Sequence, residues 1–166
     1  METTLAGPIT MSETQITMHG EMLGWLGATH FVLEPIRDDD LGMFAVLRCT
    51  DTVRLRSGVV APSLTFLVTP PGFLWPRYQL TLDDQFADRL GLIAPDDAAL
   101  LAIVTQRIPL ERSTVNLFSP IVVNRHTGLA DQFVPKGSED EVGWSVRTPV
   151  PASVVAADDQ GERPVC

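Results

Sequence analysis

A chain of 166 residues with 45% apolar side chains can bury one core without a metal or a disulfide, so a single domain is expected. Its 12 basic and 21 acidic side chains give a formal charge of −9, which repels nucleic-acid phosphates and anionic membrane surfaces and argues against direct binding to either. The same charge speeds encounter with a basic protein partner. No apolar run reaches the ~18 residues of a membrane helix, and the N-terminus lacks a basic region followed by an apolar one, so a cytoplasmic protein is expected. Cys49 and Cys166 lack the close spacing of a zinc or redox pair and read as two reduced thiols.

In chain order, Met1 to Thr14 carries no clear periodicity and reads as a disordered leader, with Met11 and Met18 as further possible starts. The next stretch alternates short apolar runs with Pro, Gly and Asp, the rhythm of strands joined by brief turns. Candidate strands are Gln15 to Met18, Thr29 to Ile36, Met43 to Cys49, Leu64 to Val68, Tyr78 to Leu82, Leu100 to Gln106, Pro120 to Asn124, Leu129 to Val134 and Val142 to Val146. Leu64 to Val68 and Leu100 to Val104 are almost wholly apolar and should be buried on both faces. One helix is expected over Thr81 to Gly91, where Leu82, Phe86 and Leu90 recur every four residues, Thr81 or Asp83 can cap the start and Gly91 can end it. Asn124 to Gly128 reads as the turn of a β-hairpin, with Gly128 able to take positive φ. Residues 149–166 turn to Pro, Ala, Asp and Glu and read as a disordered acidic tail, leaving 15–148 as the domain. The fold class is therefore all-β and mainly antiparallel: a small closed or pseudo-barrel of short strands with one short helix.

Chemistry is sparse. His19, His30 and His126 fall in unrelated segments without metal-ligand spacing, and Ser57, Ser113 and Ser119 lack the sharp-turn setting of a serine nucleophile. The Gly20 to Gly27 stretch leads into a strand rather than a helix, which removes the phosphate-loop reading. The carboxylates come in runs such as Asp83-Asp84 and Glu139-Asp140-Glu141, the pattern of solvated loops rather than of a raised-pKa catalytic pair. Neither an enzymatic activity nor a cofactor is expected, and a binding protein is the leading class.

Three stretches together resemble the FliW family of flagellar assembly factors. The first is Leu55-Arg56-Ser57, then Leu64 to Pro70, then Trp75-Pro76-Arg77-Tyr78; the second is Ile103-Val104-Thr105. The third and most specific is Thr114-Val115-Asn116-Leu117-Phe118-Ser119-Pro120-Ile121-Val122-Val123-Asn124, followed by Gly128 and Gln132. The likeness spans about Ile16 to Val150. Glu21 to Trp25 departs from the Gly-Leu-Pro-Gly-Phe turn of that family, and Arg56 stands where it often has Gln, a change of local charge that bears on partner affinity rather than on fold.

The resemblance implies a β-barrel-like monomer that binds newly made flagellin and the RNA-binding translational regulator CsrA, relieving repression of flagellin mRNA. Candidate partner-binding residues are Asn116, Leu117, Pro120, Asn124, Tyr78, Asp83 and Asp84. Each also has a structural reading: Asn beside strand ends satisfies backbone groups, Pro120 suits a strand start, Tyr78 suits packing, and Asp83 and Asp84 suit a helix N-terminus; Trp25 and Trp75, like Tyr78, read either as packing or as an aromatic anchor at an interface. The alternative function is a small-molecule-binding or hydrolytic β-barrel, which a buried pocket with convergent polar groups would favour.

Overall fold

The computed structural model describes residues 3–5, 14–22, 25–36, 43–60 and 63–152, with the backbone alone described at 3–5. Period-two alternation builds the barrel. In β2 (Thr14–Met18), Ile16 and Met18 are buried and Gln15 and Thr17 exposed. Phe31 and Leu33 are buried in β3 (His30–Pro35), and Ala45, Leu47 and Cys49 in β4 (Ala45–Cys49). Burying alternate residues fixes the register, since a one-residue slip would turn the apolar set to solvent. β5 (Thr65–Thr69), β7 (Ala98–Thr105), β9 (Ile121–Asn124) and β10 (Leu129–Gln132) complete the ring. The order β7-β5-β4-β3-β2-β10-β9 closes through β9 pairing back on β7, giving a closed seven-stranded barrel. All its pairs are antiparallel except β10 with β2. β8 (Thr114–Val115) pairs with β7 beyond the end of β9, and β11 (Thr148–Pro149) pairs with β8.

Two cores result. Ile16, Phe31, Leu47, Val68, Leu101 and Ile121 meet inside the barrel. Outside it, Leu100, Ala102, Val104 and Val122 pack against Leu80 and Leu82 of β6 (Leu80–Leu82) and Phe86 and Leu90. β7 thus feeds both cores and is buried on both faces, as its apolar run requires. β5 is less covered: Thr65 is exposed and Phe66 and Leu67 are half-buried.

The helix α2 (Asp84–Arg89) is shorter than its sequence pattern, because Leu82 already belongs to β6. Asp83 is its cap, the carboxylate accepting the Phe86 N–H at 2.7 Å. Arg89 in the last turn lies 3.3 Å from Asp131 and over the Phe86 ring. At the β9–β10 turn Gly128 has φ +76°, and a Cβ there would stand 2.5 Å from the Gln15 carbonyl oxygen.

The structure departs from the sequence reading at several places. Val142 to Val146 is not a strand: Ser138 and Glu141 form a reciprocal capping box that starts α3 (Glu139–Val142). With α1 (Pro71–Leu74), the short helices number three rather than one among the described residues. The strand expected from Tyr78 is confined to Leu80–Leu82. In the stretch read as a leader, β1 (Thr3–Leu5) pairs antiparallel with β6; the remainder of that stretch up to residue 13 lies outside the described residues. Pro149 belongs to β11 and Val150 is buried, so the ordered chain runs past residue 148; residues 153–166 of the expected tail lie outside the described residues.

Candidate functional site

Two connections meet at one end of the barrel. The β2–β3 connection folds tightly, with the Met22 N–H donating to the Ala28 carbonyl at 2.9 Å and the Gly27 N–H donating to Glu21 Oε1 at 3.0 Å. In the β4–β5 connection the Leu55 N–H donates to the Val59 carbonyl at 2.9 Å, and Arg54 bridges Val60. Asp51 ties the two bases together, accepting the His30 N–H at 2.7 Å and the Thr29 N–H at 2.8 Å. These bonds, more than the His30 ring 3.1 Å away, hold its carboxyl below the usual carboxylate range.

Between these connections lies an open groove of about 450 Å³. Buried Met22 forms part of its lining. Trp25, half-buried, is fixed edge-on to Phe66 with ring centroids 6.4 Å apart. Leu26 (61% exposed) and Leu55 (43% exposed) also line it, and Val59 and Val60 extend the exposed apolar surface along the β4–β5 connection. Arg54 and Arg56 stand on either side of Leu55 in sequence and line the same groove. The grouping of these exposed apolar side chains beside a groove makes this end of the barrel the candidate contact site.

The residues singled out from sequence lie elsewhere, around the outer core. Tyr78 is 1% exposed; its hydroxyl donates to the Leu117 carbonyl at 2.7 Å, its ring lies 4.8 Å from Trp144, and burial pushes its phenol pKa up. Leu117 and Pro120 are buried, and Pro120 accepts the Phe133 N–H. Asn116 accepts the Ser119 N–H at 2.9 Å. Asn124, 3% exposed, donates to the Leu90 carbonyl at 2.8 Å and accepts the His126 N–H at 2.9 Å. Tyr78 and Leu117 are thus brought together directly, and Asn124 is joined to the end of the helix that Asp83 begins. Only Asp83 and Asp84 of the seven are exposed. The block that carries the family likeness is therefore largely internal architecture. Trp25, Leu55 and Arg56 each stand out in the sequence but not as one site, because the connections that carry them are set side by side only by β3–β4 pairing.

Among the described residues no group of His, Cys, Asp and Glu is arranged to hold a metal, and no buried side-chain nitrogen or oxygen lacks a partner. No described helix is long and apolar enough to cross a membrane. Cys49 is buried in β4, and burial raises its thiol pKa.

Comparison with known proteins gives one answer. The family model described as FliW protein matches residues 1–150. The flagellar assembly factor FliW of Bacillus subtilis is 31% identical over 129 residues, 77% of this chain and 82% of that protein. Its namesake in Bacillus licheniformis is 31% identical over 135 residues, 81% and 87% of the two chains. The Oceanobacillus iheyensis protein of the same name is 35% identical over a shorter 88 residues, 53% of this chain and 60% of that one. A crystal structure of the flagellar assembly factor FliW superposes with a TM-score of 0.68 over 89% of this chain and 97% of the other, at 24% identity, a likeness of fold.

Proposed function

The chain belongs to the FliW family, and from that premise we propose that it is a cytoplasmic, non-enzymatic flagellar assembly factor that binds flagellin and a CsrA-type RNA-binding translational regulator. Exchange of one partner for the other would relieve repression of flagellin translation. The observation that carries this reading is the family match over residues 1–150, with relatives named as flagellar assembly factors. The open apolar groove and the net charge of −9 give a monomer of this kind two chemically different surfaces to offer.

The alternative, a small-molecule or hydrolytic barrel, draws on a groove volume inside the roughly 300–1,000 Å³ range of ligand sites. Such sites converge buried polar groups on the ligand. Here Glu21, Arg54 and Arg56 are all exposed, and buried polar side chains are satisfied within the fold. The deciding experiment is titration of the purified protein with flagellin and, separately, with the regulator, followed by size-exclusion chromatography. Complex formation with each is expected. Failure to bind either removes the proposal.

A further inference from the structure

The groove carries a sign. The chain has 21 acidic side chains against 12 basic ones, yet two arginines, Arg54 and Arg56, bracket the exposed Leu55 at this one groove. Arg48 and Arg89 are matched by carboxylates, Glu34 at 2.6 Å and Asp131 at 3.3 Å. Among the described residues Arg54 and Arg56 have no such partner, which is equally true of Arg77, Arg107, Arg112 and Arg147; what distinguishes the pair is that both line one groove beside exposed apolar side chains, where Glu21, which accepts the Gly27 N–H, is the one carboxylate. Cations left unmatched beside exposed Leu and Trp suit a ligand that is apolar in the middle and anionic at its edges. Such a ligand buries its apolar side chain while its carboxylates take the guanidinium N–H donors in charge-assisted hydrogen bonds.

We infer that the groove is a docking site for a protein segment that places an apolar side chain between Trp25 and Leu55 and carboxylates against Arg54 and Arg56. The inference rests on the functional reading above. Of the two partners proposed there, a regulator that binds RNA phosphates is expected to be basic and so to have the wrong sign for this rim, which assigns the groove to flagellin. The regulator is left to the acidic remainder of the surface, which includes the exposed Asp83 that caps α2 and Asp84 and Asp88 within it. The two partners then touch different faces of the barrel.

The test measures flagellin and regulator affinities for the wild-type protein, for the double variant Arg54→Glu/Arg56→Glu, for Leu55→Asp, and for Arg54→Lys/Arg56→Lys. All three sites of change are exposed, and the regulator arm reports on the integrity of the fold. Charge reversal and Leu55→Asp should each weaken flagellin binding by about tenfold or more while the regulator still binds. The lysine variant should keep most of the flagellin affinity. Raising ionic strength from about 0.01 M to about 1 M shortens the screening length from about 30 Å to about 3 Å, and should weaken flagellin binding to the wild-type protein. Flagellin binding to the charge-reversed protein at wild-type strength would overturn the groove assignment and leave the proposed function standing. Absence of flagellin binding to the wild-type protein would overturn both.

Discussion

Asn124 uses both ends of its amide inside the fold, donating to Leu90 and Gly91 carbonyls at the end of α2 and accepting N–H groups of the following turn. Truncation leaves those buried groups unpaired, a cost larger than one net hydrogen bond. Asn124→Ala should therefore lower unfolding free energy by about 2 kcal/mol, read as a shift of the denaturant midpoint, with partner affinities of the folded protein unchanged. A loss of affinity at unaltered stability would instead make Asn124 a contact residue. Asp51 supports a pH prediction. Its folded pKa lies below the unfolded value, so its stabilising effect is present above the ordinary carboxylate pKa of ~4 and lost as pH falls through the folded value. Asp51→Asn should melt below the wild-type protein at neutral pH, and the two melting temperatures should converge as pH falls below the lowered folded pKa of Asp51. A gap that stays constant across that range would show that the Asp51 charge contributes nothing. Since Asp51 joins the bases of both groove connections, the variant should weaken flagellin binding as well.

Short elements hold this barrel together, and α2 shows how one is made from sequence. Phe86 and Leu90 face the outer core four residues apart, and Asp83 supplies the cap. Asn caps as well as Asp, whereas Ala does not cap. Asp83→Ala should thus cost about 1 kcal/mol and Asp83→Asn close to nothing, so any effect of the Asn variant on regulator association reports charge at the binding surface rather than helix stability. The strands of the barrel are legible for a comparable reason: alternation in β2, β3 and β4 and the wholly apolar run of β7 are local patterns with one structural solution. β8 and β11, two residues each, carry no such pattern and exist only by pairing with a neighbour. α3 does carry a local signal, Ser138 followed three residues later by Glu141, which the acidic run Glu139-Asp140-Glu141 disguises as a solvated loop. The groove as one site was the least legible feature, although Trp25, Leu55 and Arg56 each stand out in the sequence. Trp25 and Leu55 sit in separate connections, and only the register Phe31↔Cys49 sets those connections side by side. Tyr78 and Asn124 are conspicuous in sequence for the opposite reason, since their hydrogen bonds demand specific side chains inside the fold.

At the scale of the whole molecule, the issue is how two partners exclude each other if they touch different faces. Interfaces of about 800 Å² on each partner can fit on one small domain without sharing residues. Exchange then arises from collision between the bodies of the two partners or from coupling through the barrel, and in either case each must weaken the other by the same factor. Electrostatics separates the two arms. Regulator association with the −9 chain should slow as salt rises, because attraction to a basic protein is screened. Flagellin, held by Arg54 and Arg56, should be weakened by charge reversal there, a change that adds negative charge and cannot harm a basic ligand. Added to a preformed complex of wild-type protein and regulator, flagellin should release the regulator, seen as a separate peak in size-exclusion chromatography. With Arg54→Glu/Arg56→Glu the regulator should stay bound at the same flagellin concentration, which in the cell would leave flagellin translation derepressed however much flagellin accumulates. A stable ternary complex of the wild-type protein with undiminished affinities would show that the partners do not exchange, and release of the regulator from the charge-reversed protein would show that flagellin acts through another face.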